Sequence, residues 1–179
     1  NAIFAVLEAE EDNEVAELQF RDWVLTMPNM GLYTPHVYAY NKYGVMISND
    51  FKDYTLSCPA SLGEITADGK TLFATGTGTQ ALTVSYGNAK TASIAITVGS
   101  TLTEASPRYS DVVLDNKHPW SVEVVTKVAS ELMPIAPGIF DWSIDDTPVA
   151  TIDEPGLITP VANGKAVVTG RHGDIEIKV

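Results

Sequence analysis

The sequence predicts an all-β chain folded as two tandem Greek-key β-sandwiches, and three observations carry that prediction. Short runs rich in Thr, Val, Ile and Tyr recur along its 179 residues. Gly, Pro, Asn and Asp punctuate those runs at the spacing expected of hairpins. The pattern of residues 62–98 then returns in residues 149–179.

Taken in order, residues 1–18 (NAIFAVLEAEEDNEVAEL) admit two readings. One is a short helix, with Ile3 and Leu7 on one side. The other is a strand over residues 3–8 followed by an acidic turn. The strand is preferred, because a lone short helix is marginal without a partner face. The acidic run Glu8, Glu10, Glu11, Asp12, Glu14 and Glu17 then reads as a solvated loop or edge. Strands are predicted at 36–40 (HVYAY), 82–86 (LTVSY), 93–98 (SIAITV), 121–127 (SVEVVTK), 166–169 (AVVT) and 175–179 (IEIKV). Turns are predicted at 41–44 (NKYG) and at the pairs Asp68-Gly69, Gly87-Asn88, Pro155-Gly156, Asn163-Gly164 and His172-Gly173. Trp23 and Trp120 fall at strand entries.

The repeat aligns Ile65 with Ile152, Gly69 with Gly156, Gly78 with Gly164, Gly87 with Gly173 and Val98 with Val179. Two copies imply two domains, 14–99 and 100–179, with a small-polar linker near 99–106 (GSTLTEAS). Residues 1–13 are assigned to a leading strand or to the tail of a preceding domain.

Motifs in the second copy carry a family resemblance. Trp142-Ser143, a polar turn at Asp145-Asp146-Thr147-Pro148, then Val149-Ala150-Thr151-Ile152, Gly156-Leu157-Ile158-Thr159 and Val161-Ala162-Asn163-Gly164-Lys165-Ala166 resemble the bacterial immunoglobulin-like domain, group 2. The resemblance implies an Ig-like sandwich on a secreted, periplasmic or cell-surface protein, and no catalytic residues. The first copy is a divergent relative, with Leu56-Ser57-Cys58 where the Trp-Ser strand belongs. Residues 31–47, 56–65 and 82–98 are also similar to accessory domains of Bacteroidetes-type phosphodiester glycosidases, enzymes linked with exopolysaccharide. That similarity implies a non-catalytic appendage beside a polysaccharide-acting domain.

The totals exclude several function classes. Net charge is −12, which argues against nucleic acid and against an anionic membrane surface. No apolar run approaches the roughly 18 residues of a membrane span, so insertion is not expected. One cysteine, Cys58, cannot form an internal disulfide. The start at Asn1 suggests a processed chain or an excised fragment.

No residue pattern announces catalysis. Residues 149–170 hold a Gly-Lys, but Gly156 and Gly164 have seven residues between them and Ala166 replaces the Ser or Thr of a phosphate loop. Asp141, Asp145 and Asp146 offer the hard oxygen ligands of Ca²⁺. Their setting suits a structural turn, with a weak Ca²⁺ site as the alternative. His36, His118 and His172 lack zinc spacing. Cys58 precedes Pro59 and reads as an inert, partly buried thiol. Trp142 is expected to pack in the core. Alternation places His36, Tyr38 and Tyr40 on the outer face of their strand. Three uses of that face remain open: packing against a neighbouring domain, cross-strand pairing, or a platform for glycan. The expected chain is thus a non-catalytic spacer or docking piece, with adhesion or glycan binding at His36, Tyr38 and Tyr40 as the alternative. Its expected partners are neighbouring domains of the same polypeptide and cell-surface polysaccharide, with no cofactor.

Overall fold

The computed structural model describes residues 13–99, 102–115, 117–128 and 130–179. The alternatives weighed for residues 3–8 lie outside this set. Over the described residues the chain is all-β: two immunoglobulin-like sandwiches in tandem, with a 3-10 turn at Pro137–Ile139. Its buried apolar residues form two groups. One gathers residues between Leu18 and Val98, the other residues between Leu102 and Ile177.

In the first module the strands are β1 (Glu17–Phe20), β2 (Val24–Met27), β3 (Leu32–Tyr33), β4 (Val37–Tyr40), β5 (Met46–Ser48), β6 (Thr55–Ser57), β7 (Glu64–Ile65), β8 (Leu72–Phe73), β9 (Gly78–Ser85) and β10 (Ala92–Val98). Its sheets are β1-β4-β5, β3-β8-β7 and β2-β10-β9-β6. The first stretch of chain serves two of them. β1 pairs antiparallel with β4, then β2 runs parallel to β10. The crossing residue Asp22 accepts the Tyr33 hydroxyl at 2.8 Å, which pins the switch. Period-two alternation builds the core: Val37 and Ala39 of β4, Leu82 and Val84 of β9, and Ile94, Ile96 and Val98 of β10 all point inward and are buried.

The second module repeats the plan with β11 (Ser106–Pro107), β12 (Trp120–Ser121), β13 (Val124–Val128), β14 (Glu131–Ile135), β15 (Asp141–Ile144), β16 (Ala150–Ile152), β17 (Leu157–Pro160), β18 (Val168–His172) and β19 (Ile175–Lys178). Its sheets are β12-β17-β16, β15-β18-β19 and β11-β13-β14. The expected strand over 121–127 is broken at Val122 and Glu123. There the chain changes partners, from β17 to β11 and β14; Val122 N–H donates to Gly156 and Arg108 N–H to Glu123. The strand expected at 166–169 begins only at Val168, and β9 begins earlier than expected, at Gly78.

The repeat read from the sequence falls on like elements at three of its five pairs; at the other two, Gly78 opens β9 and Val98 ends β10, while Gly164 precedes β18 and Val179 follows β19. Ile65 and Ile152 lie in β7 and β16. Gly69 and Gly156 occupy the following turns with φ of 70° and 83°, and Gly87 and Gly173 occupy the last hairpin turns at 49° and 56°. These left-handed values favour glycine, since a Cβ there meets the following carbonyl.

One core position is solved differently in the two copies. In β6, Leu56 sits opposite Val84 of β9. At the same place in the second module Trp142 of β15 sits opposite Gly170 of β18. Each partner, Val84 or Gly170, lies three residues before the hairpin glycine. A large ring thus replaces Leu where the facing strand has given up its side chain. A Cβ on Gly170 would lie 2.6 Å from the Trp142 ring, and one on Gly156 3.0 Å from Nε1. The indole N–H donates to the Pro137 carbonyl at 2.9 Å, so its polar edge is satisfied while the ring packs against the second core.

This pairing predicts a specific coupling. Gly170→Val should destabilise the chain by about 2–3 kcal/mol through overpacking against Trp142. Adding Trp142→Leu should recover part of that loss, because it recreates the Leu56–Val84 pairing. Denaturant unfolding of the two single variants and the double variant measures the coupling; strict additivity would contradict it.

Candidate functional site: the joint between the two modules

Two turns meet where the modules touch. In the first module, β2 reaches β3 through residues 28–31 (PNMG). Gly31 N–H donates to Pro28 O at 3.2 Å and closes the turn. Met30 holds a left-handed φ of 66°. A side-chain-bearing residue there costs roughly 1–2 kcal/mol, so the surroundings must enforce it. They do: Met30 N–H donates to Ala74 O at 2.7 Å, and Ala74 N–H returns a bond to Gly31 O at 3.0 Å. The Asn29 amide donates to the carbonyls of Thr75 and Gly76, at 3.0 and 2.8 Å. Gly31 admits no side chain, because a Cβ would lie 2.9 Å from both Met27 Cε and Pro28 O.

The second module contributes the β13–β14 hairpin. Its tip residue Ser130 is also left-handed, at φ 76°. Ile135 forms an antiparallel bridge with Gly31, and Ala136 N–H donates to Met30 O at 3.3 Å. Met133 packs against the first module's core. Backbone pairing and apolar burial therefore act at one place. The PNMG turn and the apolar end of 131–135 (ELMPI) are the signals in the sequence for this joint, and neither stood out among many similar turns.

His36, Tyr38 and Tyr40 do lie on the outer face of their strand, half-buried, opposite buried Val37 and Ala39. Tyr38 faces Gln19 and Tyr40 faces Glu17 across β1. The His36 and Tyr38 rings meet edge-on at 5.6 Å. His36 Nε2 contacts the Asn49 carbonyl, and its Nδ1 lies 3.7 Å from Asp50. Lys52, hydrogen-bonded to Asp50 at 2.7 Å, holds that carboxyl below its usual range. The strongest contact between the modules is made by β3 and β14 rather than by this face.

The other candidates are dispersed. Asp145 accepts Val167 N–H at 2.7 Å beside the β15–β18 pair, and Asp153 accepts Leu157 N–H at 2.8 Å as a turn clamp. Among the described residues no three His, Cys, Asp or Glu side chains gather as a metal site. His118 bonds Asp115 at 2.7 Å, and His172 meets the Ile139 carbonyl at 2.9 Å. Cys58 packs against the first core, and burial raises its thiol pKa. Trp23, at the entry to β2, stands 85% exposed.

No family model matches the chain, and no curated protein matches it. Among solved structures it is similar to the S-layer protein SbsC. A structure of that protein's residues 31–844 covers 93% of this chain at 14% identity and a TM-score of 0.36, and this chain spans 26% of its length. Domains 5–6 of the same protein cover 93% of this chain and are themselves covered to 95%, at 13% identity and a TM-score of 0.43. Drosophila N-cadherin EC1-3 covers 93% of the chain at 9% identity, with 67% of its own length and a TM-score of 0.28.

The strongly shifted carboxyl of the first module also serves a turn. Asp68 accepts the Thr66 hydroxyl at 2.6 Å, Lys70 N–H at 2.8 Å, and Thr71 through both N–H and hydroxyl. These bonds, led by Thr66, lower its pKa from 3.8 to about 2. A lowered folded-state pKa means the turn's contribution is complete above the unfolded value and is lost as pH falls through the folded one. The Asp68 carboxyl carbon should therefore titrate by NMR with a midpoint near 2. A midpoint at 3.8 would show the clamp to be absent.

Proposed function

We propose that this chain is a non-catalytic, two-module spacer of a secreted or cell-surface bacterial protein, which holds neighbouring domains in a fixed line. The joint carries the reading. A flexible tether would not need a strained Met30, a glycine without room for Cβ, or a backbone bond from Ala136. Such features suit an element whose output is geometry, since the ordering entropy of a linker must be offset by contacts. The resemblance to tandem group 2 bacterial immunoglobulin-like domains fits this setting. So does an appendage role beside a polysaccharide-acting domain.

The Ala136 N–H offers a clean test. Ala136 has φ −62° and ψ 116°, which proline adopts without strain. Ala136→Pro removes the donor to Met30 and places a ring atom where the hydrogen stood. Scattering at infinite dilution and ¹⁵N relaxation should then report a broader distribution of inter-module angles and faster independent tumbling. The two cores should keep their chemical shifts. Unchanged tumbling would show that the bond does not set the geometry.

A further inference from the structure

The pairing registers set the two modules in correspondence residue by residue. Tyr33 faces Leu72, which faces Ile65; Trp120 faces Ile158, which faces Ile152. Tyr33 and Trp120 therefore hold one place, as Ile65 and Ile152 do. Val37 and Val124 follow them at the same interval, and their partners Phe20 and Pro107 correspond in turn. The same number of residues separates Phe20 from Tyr33 and Pro107 from Trp120, so residues 111–114 (DVVL) stand where β2 stands. On the other side, Val84 corresponds to Gly170, so residues 164–167 (GKAV) correspond to 78–81. Val84 faces Ala92 and Gly170 faces Ile177. Val179 exchanges both backbone bonds with Val168, as the partner of the Leu82 counterpart, and thus matches Ile94 in register.

In the first module β10 runs on through Ala95–Val98. Those residues pair parallel with Val24–Met27 on one side and antiparallel with Gly78–Ala81 on the other, and Ile96 and Val98 are buried. In the second module β19 does not reach the matching places. A groove of about 990 Å³ lies there, between residues 110–114 and 164–168. Its backbone wall is prepared for a strand. Val167 turns away from the groove and bonds Asp145 through both its N–H and its carbonyl. Alternation then turns Gly164 and Ala166 toward the groove, and among the described residues neither makes a backbone hydrogen bond. Its floor is apolar and incompletely covered. Met27 and Leu62 are buried in the first module, whereas their counterparts Leu114 and Val149 line the groove and are half-buried.

We propose that this groove is a strand-acceptor site, which takes an extended segment of a partner polypeptide with apolar side chains at alternate residues. The chemistry of the occupant follows from Ala95–Val98, which fill the same place in the first module. The segment runs parallel to 111–114 and antiparallel to 164–167, and bonds the N–H and carbonyl groups of Gly164 and Ala166. Two of its side chains cover Leu114 and Val149, as Ile96 and Val98 cover their counterparts. Main-chain bonds give such an added strand its affinity, and the pockets for alternate side chains give it specificity. The inference is independent of the joint between the modules.

Titration of the ¹⁵N-labelled chain with a synthetic peptide of residues 95–103 (AITVGSTLT) tests the site. The peptide carries the first module's own strand end followed by a polar tail. Saturable shifts are expected at 111–114 and 164–168, with slower solvent exchange of the Ala166 N–H and no change in the first module. The same peptide carrying Ile96→Asp should not bind. Ala166→Pro in the chain should lose binding, since proline has no N–H to offer; the altered peptide keeps the test decisive if that variant does not fold. Three outcomes overturn the proposal: no saturable shift up to millimolar peptide, equal binding of the Ile96→Asp peptide, and self-association of the chain that protects the Ala166 N–H and disappears on deletion of residues 1–12, which would give the groove to a second copy. Independent tumbling of the two modules would fail the spacer reading and leave these outcomes unchanged.

Discussion

The left-handed backbone at Met30 is the constraint around which the two modules are arranged. It turns the Met30 carbonyl toward the second module, where Ala136 N–H meets it. The conformation is unfavourable for methionine by itself. It persists because Ala74, Thr75 and Gly76 accept or return bonds on the module's own side, and because Gly31 leaves no side chain in the way. The strain is thus maintained by the first module and used at the boundary. The second module answers with a hairpin whose residues divide the work. Ile135 continues the backbone pairing, and Met133 extends the first core. Met suits that position, since its unbranched thioether fills an irregular gap between two packed modules.

Within each module one topology is satisfied by different side chains. Leu56 with Val84 and Trp142 with Gly170 fill the same place between two strands of the same sheet. What the fold requires there is a summed volume and an apolar surface, not a residue. The cost of the Trp solution is a second glycine, Gly156, and a hydrogen-bond partner for the indole, which the 3-10 turn supplies at Pro137. The polar residues are spent in turns rather than in a site. Asp68, Asn41 and Asp153 each accept backbone N–H groups of their own turns, and Asp145 accepts the Val167 N–H beside the β15–β18 pair.

Much of this architecture was legible in the sequence. Period-two alternation located β4, β10 and β19, and the turn glycines marked the repeat because left-handed turn positions favour glycine. Trp142 was recognisable as a packing residue from its place before Ser143. Strand edges were less legible. Val122 and Glu123 have strand-like composition, but the break there comes from a change of partner, which is a tertiary event. The joint was hidden for the same reason. Met30, Gly31, Met133 and Ala136 are ordinary locally, and their role exists only once two turns 100 residues apart are brought together. His36, Tyr38 and Tyr40 illustrate the converse. Alternation correctly placed them outward, while local pairing with β1 and with Asn49 gives them neighbours that periodicity does not reveal.

The central claim is that two sandwiches are held at one angle by a small, over-determined contact. Backbone residual dipolar couplings in a weakly aligning medium test it most directly. A rigid joint requires one alignment tensor to fit the N–H couplings of both modules, with the orientation set by the Gly31–Ile135 bridge. Two tensors of different magnitude, one for each module, would contradict the account.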